Sequence, residues 1–250
     1  MNGRVLAESG RVELLLLLRE PVTLVFALAL PIVNVVVLGG VFGDQPDPTG
    51  EVFRGVGGST YYTPAYISLV AASVGLISVP TQLAGYRERG VLRRMRASGL
   101  PVAAVLGAQL AVGLGLAAVG AAVVTAFSFL TNDPAPAEDP VGVVVAFLVG
   151  TVALILLGIL LGAVLPTARA AQGAGVLLWF VLLILGGAGP PPEVLPDAMG
   201  TVGALTPLRP LVLALQDPWF TGSWNPGMLA VLAGIGAVSW ALASWRLRRD

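Results

Sequence analysis

The chain has no cysteine and no histidine, and all fourteen of its basic residues are arginine, so it has no lysine either. Each absence removes a class of chemistry. Without cysteine there is no disulfide, no thiol nucleophile and no Cys/His zinc site. Without histidine the commonest general base at neutral pH is missing. Without lysine the phosphate-binding loop Gly-x-x-x-x-Gly-Lys-Ser/Thr cannot be written in this chain. Any use of ATP therefore falls to another polypeptide. Charge is scarce as well. Only 11% of the residues are charged, against about a quarter in soluble domains.

Apolar length takes the place of charge. Of the 250 residues 56% are hydrophobic, and the mean hydropathy is +0.87. That is the composition of an integral membrane protein. Six stretches approach the roughly twenty residues that a bilayer crossing needs. They predict spans at about 22–42, 60–83, 102–130, 141–165, 170–188 and 226–245, hence an all-α membrane fold. Ahead of them, Arg4, Glu8, Arg11 and Arg19 lie near one helical face, with Leu6, Leu14 and Leu17 mostly opposite. This predicts an amphipathic interfacial helix over residues 1–20. Two acids and the Arg19-Glu20 pair precede the main apolar run, which fits a cleaved signal peptide poorly.

Orientation follows from the arginines. Twelve of them (4, 11, 19, 87, 89, 93, 94, 96, 169, 246, 248 and 249) fall on one side of the six spans. Only Arg54 and Arg209 fall on the other, together with most of the acids. By the positive-inside rule both termini are expected in the cytoplasm. Tyr61, Tyr62 and Tyr66 are expected to form an outer aromatic belt, and Trp219, Phe220 and Trp224 to sit at the outer interface. Between spans 5 and 6 the stretch Thr201–Leu215 is apolar but short and broken by Pro207, Arg209 and Pro210. A re-entrant or interfacial helical element is expected there.

Polar groups inside the spans are few. Asn34, Gln82 and Gln109 are candidates either for a transport pathway or for hydrogen bonds between packed helices. On span 3, Ala103, Gly107, Ala111 and Gly115 recur every four residues. Such a stripe lets helices approach closely, within the subunit or between subunits.

The densest charge lies in Tyr86–Pro101, which holds Arg87, Arg89, Arg93, Arg94 and Arg96 with Glu88 as its only acid. On a helix Arg89, Arg93 and Arg96 share one face, and Glu88, Leu92 and Met95 form a neighbouring stripe. Gly99 and Pro101 supply a stop signal. The segment serves at least as a topology signal on the cytoplasmic side.

Its residues carry a further likeness. Glu-Arg-Gly-x-Leu, an Arg-rich turn and Ser-Gly-Leu-Pro place Glu88, Gly90, Leu92, Ser98 and Pro101 as in the coupling segment of type-2 ABC exporter permeases. The small bacterial drug-export permeases are especially similar. The resemblance covers roughly residues 20–248 and implies a bacterial plasma-membrane subunit without catalytic site or cofactor of its own. It implies a partner pair of ATPase subunits that hold ATP and Mg, and a second permease copy or homologue. No nucleic acid enters. Carried onto this chain, Glu88, Arg89, Gly90, Leu92, Arg93, Met95 and Arg96 would form the ATPase contact. The density of arginine leaves open which of them meet lipid headgroups instead. The implied activity is export of a hydrophobic or amphipathic compound.

Other classes have less support in the residues. A proton-coupled secondary transporter usually needs an ionisable group at membrane depth, and no proposed span core contains one. An intramembrane enzyme lacks the usual nucleophile–base pairs. A regulatory membrane subunit without an ATPase partner remains compatible with the sequence.

Overall fold

Six helices long and apolar enough to cross a membrane organise the computed structural model, which describes residues 21–43, 45–46, 52–97, 99 and 102–247. The side chains of Pro21, Thr23, Arg96, Val102 and Ala103 are not among those described. The interfacial helix expected over 1–20, together with Ser98, Pro101, Arg248 and Arg249, lies outside the described residues. The spans are Val25–Phe42, Gly58–Glu88, Ala104–Asn132, Pro140–Val164, Ala168–Leu185 and Pro226–Leu247. No strand occurs among the described residues. Continuous apolar runs of this length suit helices, each of which satisfies its own backbone groups in hydrocarbon.

Caps set several ends. Asp139 precedes span 4 and accepts a hydrogen bond from the Val141 amide at 3.1 Å. Thr167 does the same for Ala170 at the start of span 5. Pro166 follows the last residues of span 4, where the helix cannot continue. Span 2 runs five residues beyond its expected end at Leu83, through Tyr86 and Arg87 to Glu88. The first part of the Arg-rich stretch is thus the end of a span.

Span 2 is the hub. Every residue from Gly57 to Pro80 is buried, with spans 1, 3, 4 and 5 and the later helix Leu208–Phe220 around it. The tyrosine belt expected at its outer end is therefore absent. Tyr61, Tyr62 and Tyr66 are at most 2% exposed. The Tyr61 and Tyr62 hydroxyls donate to the Gly187 and Gly189 carbonyls, each at 3.1 Å. Surrounding helices occupy the place that lipid headgroups would have taken. Trp219 is likewise buried, its indole nitrogen donating to the Ala135 carbonyl, whereas Trp224 is exposed.

A shared local irregularity shapes spans 1 and 2. Each contains a five-residue π turn, Val25–Ala29 and Val74–Ser78. Each turn ends two residues before a proline, Pro31 or Pro80. Proline has no N–H to give, and its ring pushes away the carbonyl four residues back. The chain answers with one wide turn, a common way of absorbing such a break. The wide turn pairs the Leu30 and Val79 amides with Val25 and Val74. Phe26 and Gly75 are then left facing a proline where their donor should be. The Ser73 hydroxyl reaches the Phe26 carbonyl at 2.6 Å. The Gly75 carbonyl instead presses against Gly158 of span 4, where any Cβ would overlap it. Leu76, four residues before Pro80, turns its carbonyl onto Gly175 of span 5 in the same way.

Small residues thus do close packing in the interior, though not those of the predicted stripe. Gly107, Ala111 and Gly115 are exposed, and a Cβ on either glycine would meet nothing within 4 Å. Span 3 packs through the face that carries Leu106, Gln109, Gly113, Leu116, Gly120, Val124 and Ser128.

Between spans 5 and 6 the expected re-entrant element is a pair of helices, Asp197–Ala204 and Leu208–Phe220, bent by 86°. The second inserts Leu211 against Gly150 of span 4. Arg54, in the loop between spans 1 and 2, is fastened to it. Its guanidinium meets the Asp217 carboxylate at 2.6 Å and Gln216 at 3.2 Å, and lies 5.5 Å from the Phe220 ring centre. Asp217 also accepts from Asn225 at 2.7 Å. This accounts for Arg54 on the arginine-poor side: the cation is spent on an internal clasp. Asp217→Asn is expected to lower the thermal midpoint by about 2–4 °C, the shift for about 1 kcal/mol in a chain of this size, read by differential scanning fluorimetry.

A second tie on this face is acid-sensitive. The Trp224 indole donates to Asp139 at 2.5 Å and, with the amides of Gly142 and Val141, holds that carboxyl below its ordinary value of 3.8. A lowered pKa favours the folded state above the ordinary value, and the gain is lost as pH falls through the lowered one. Trp224 emission should therefore stay constant from pH 7 down to the usual carboxylate range and change only below it. A Trp224→Phe variant isolates the signal.

Candidate coupling site

Tyr86–Ala97 is not one helix. Span 2 ends at Glu88, Arg89 leaves helical geometry at φ −84° and ψ 3°, and Gly90 turns to φ +67°. Only glycine takes that left-handed conformation without strain. A short helix, Val91–Ala97, follows. Gly99 beyond it has φ +82°, as a glycine past a helix end should. The single face expected for Arg89, Arg93 and Arg96 is broken, because Arg89 lies before the turn.

The stretch is tied to the junction of spans 4 and 5 by two adjacent residues of opposite charge. The Arg87 guanidinium donates to the carbonyls of Gly162 and Leu165, both at 3.0 Å. These carbonyls lie in the last turn of span 4, where helix acceptors run out of partners. The Glu88 carboxylate accepts from the Ala168 amide at 3.0 Å, at the first turn of span 5. A cation thus sits at a helix C-terminus and an anion at a helix N-terminus, each matched to the local dipole. Beside them Gly85 leaves room for the Arg89 guanidinium, about 3.2 Å from where a Cβ would stand.

The expected contact residues divide accordingly. Glu88 is committed to span 5. Leu92 is 5% exposed and belongs to the chain's own core, so it is not an outward apolar contact. Met95 is half-buried. Arg89, Arg93 and Arg94 are exposed. Arg93 and Arg94 lie on the short helix, and its placement turns them away from the bundle.

A family model described as ABC-2 type transporter matches residues 8–219. The chain belongs to that family. No curated protein matches it. As an ABC-2 transporter permease subunit it is a multi-pass membrane protein. Members of the family are membrane subunits of transport and partner with an ABC ATPase.

The remaining candidates sit elsewhere. Asn34 is half-buried on span 1, with no hydrogen bond to its side chain. Gln82 and Gln109 are buried near the Arg-rich end of spans 2 and 3. Arg87 was not among the expected contact residues, although it makes two of the segment's links to span 4. Its partners lie 75 and 78 positions away, so no local spacing announces them. The one available hint is the Arg-Glu pair itself, opposite charges side by side at the end of a span.

Proposed function

We propose that this permease subunit exports an apolar or amphipathic compound across a bacterial plasma membrane, with both termini cytoplasmic and a separate ATPase supplying the energy. Two ATPase subunits and a second permease copy complete the assembly in this reading. ATP with Mg is held on the ATPase. The observation that carries the reading is the clamp of Arg87 and Glu88. It makes the exposed Arg-rich helix, the hub span and the span 4–5 junction one mechanical unit. Force applied to Val91–Ala97 passes through the two-residue turn at Arg89 and Gly90 into span 2 and, by the clamp, into the span 4–5 junction.

The exposed Arg89, Arg93 and Arg94 are the ATPase contacts of this proposal, joined by Met95 and, on sequence grounds, Arg96. Arginine pairs with carboxylates in a fixed fork geometry, which suits a specific joint. Leu92 and Gly90 shape the segment from within. An apolar cargo agrees with a cavity of about 780 Å³ on the acidic side, lined by Leu38, Phe42, Phe53, Tyr62, Pro190 and Val194 among others. That volume suits a drug-sized molecule.

The test is copurification of the tagged chain from native membranes in mild detergent, beside the double variant Arg93→Glu/Arg94→Glu. The expected result is an ATP-hydrolysing subunit that is recovered with the native chain and reduced at least tenfold with the variant, which stays folded. Equal recovery from both would remove Arg93 and Arg94 from the joint. No ATPase with the intact native chain would return the segment to a topology signal.

A further inference from the structure

Three buried side chains near the Arg-rich end of spans 2 and 3 leave polar atoms without a partner among the described residues. Ser78 Oγ, Gln82 Nε2 and both polar atoms of the Gln109 amide are buried and make no hydrogen bond. Their residues are 1%, 8% and 2% exposed. Desolvated groups of this kind are costly unless something supplies their bonds.

The register of spans 2 and 3 brings them together. The two helices run antiparallel. Thr63 and Ser128 share a hydroxyl hydrogen bond at 2.5 Å near the acidic side. Farther in, a Cβ on Gly120 would meet Val70 and one on Gly113 would meet Val74. One more helical turn leads from Gly113 to Gln109 and from Val74 to Ser78, and the next from Ser78 to Gln82. Gln109 lies on the buried face of span 3 with Leu106 and Gly113. Ser78 closes the π turn that Pro80 imposes, and π turns recur at functional sites.

We propose that Ser78, Gln82 and Gln109 form a binding site for one uncharged, hydroxyl-bearing group, supplied by water or by a membrane-soluble alcohol. The group is uncharged because neither helix carries an Asp, Glu or Arg at this depth; Arg87 is the first charged residue along span 2. A hydroxyl both donates and accepts, which the Gln109 amide requires on its two sides. The site stands apart from the ATPase partnership and holds even if that reading fails.

The experiment uses the full chain in lipid nanodiscs. One arm photolabels it with 3-azioctanol or with its hydroxyl-free analogue, 3-azioctane, and maps adducts by mass spectrometry. A second arm footprints bound water by radiolytic oxidation of neighbouring side chains. A membrane alcohol as occupant predicts azioctanol adducts within 74–82 or 106–113, at about five times the azioctane level, and their loss in Gln109→Leu. Water as occupant predicts oxidation of the same stretches without such adducts, again lost in the variant. Equal labelling by both probes with no oxidation overturns the site.

Discussion

Gly158→Val is expected to abolish recovery of folded protein, while Gly107→Val and Gly115→Val leave it unchanged. The reason lies in the carbonyl of Gly75. Pro80 deprives it of a backbone donor, and it points directly at the Cα of Gly158. A side chain there would meet main chain on the hub span, which cannot rotate aside as a side chain does. Spans 2 and 4 would have to move apart to admit it. Overpacking a tight core costs about 1–3 kcal/mol where side chains can adjust, and here they cannot. Gly175→Val is expected to behave likewise, because its neighbour is the Leu76 carbonyl. Gly107 and Gly115 face open space in this chain. Fluorescence-detected size exclusion of tagged variants in mild detergent gives the ranking. Loss confined to the assembled complex for Gly107→Val or Gly115→Val would place that stripe against a neighbouring subunit.

Arg87→Met is expected to lower the thermal midpoint by about 5–10 °C and to uncouple the ATPase, with membrane insertion preserved. The variant keeps much of the stem and removes the guanidinium. Two carbonyls at the end of span 4 then lose a charged donor, and bonds of that kind contribute about 1.5–3 kcal/mol. At roughly 2–4 °C per kcal/mol for a chain of this size, the shift is well resolved. Glu88→Gln is the contrasting case. The amide oxygen still accepts from the Ala168 amide, so only the charge against the helix dipole is lost, within about 1 kcal/mol. A Glu88→Gln variant that releases the ATPase without loss of stability would instead make Glu88 a direct contact across the joint. A mild Arg87→Met would mean that the two carbonyls find other donors, and the clamp would not transmit force.

The sequence alone determined what depends on composition and local order. The count of spans followed from apolar length, because each run of about twenty apolar residues makes one helical crossing of the hydrocarbon. The exclusion of a Gly-x-x-x-x-Gly-Lys-Ser/Thr loop followed from the absence of lysine. The break between spans 5 and 6 was legible in Pro207, Arg209 and Pro210. The positive φ of Gly90 and Gly99 agrees with their place at helix ends.

The tertiary structure decided everything that depends on which helix stands in the middle. Span 2 has the same apolar, Ser- and Tyr-bearing composition whether it faces lipid or protein, so its tyrosines read as a belt and proved to be core. Small residues on span 3 kept a perfect four-residue spacing yet face outward, because spacing fixes a face and not its direction. Pro80 was visible, but the glycines that accept its displaced carbonyls lie 83 and 99 positions from Gly75 and Leu76. Leu92 and Glu88 looked like contacts for a partner chain. Leu92 is buried in the chain's own core, and Glu88, though exposed, accepts from the Ala168 amide because the end of span 2 lands beside the first turn of span 5, where an unpaired backbone amide draws the nearest carboxylate.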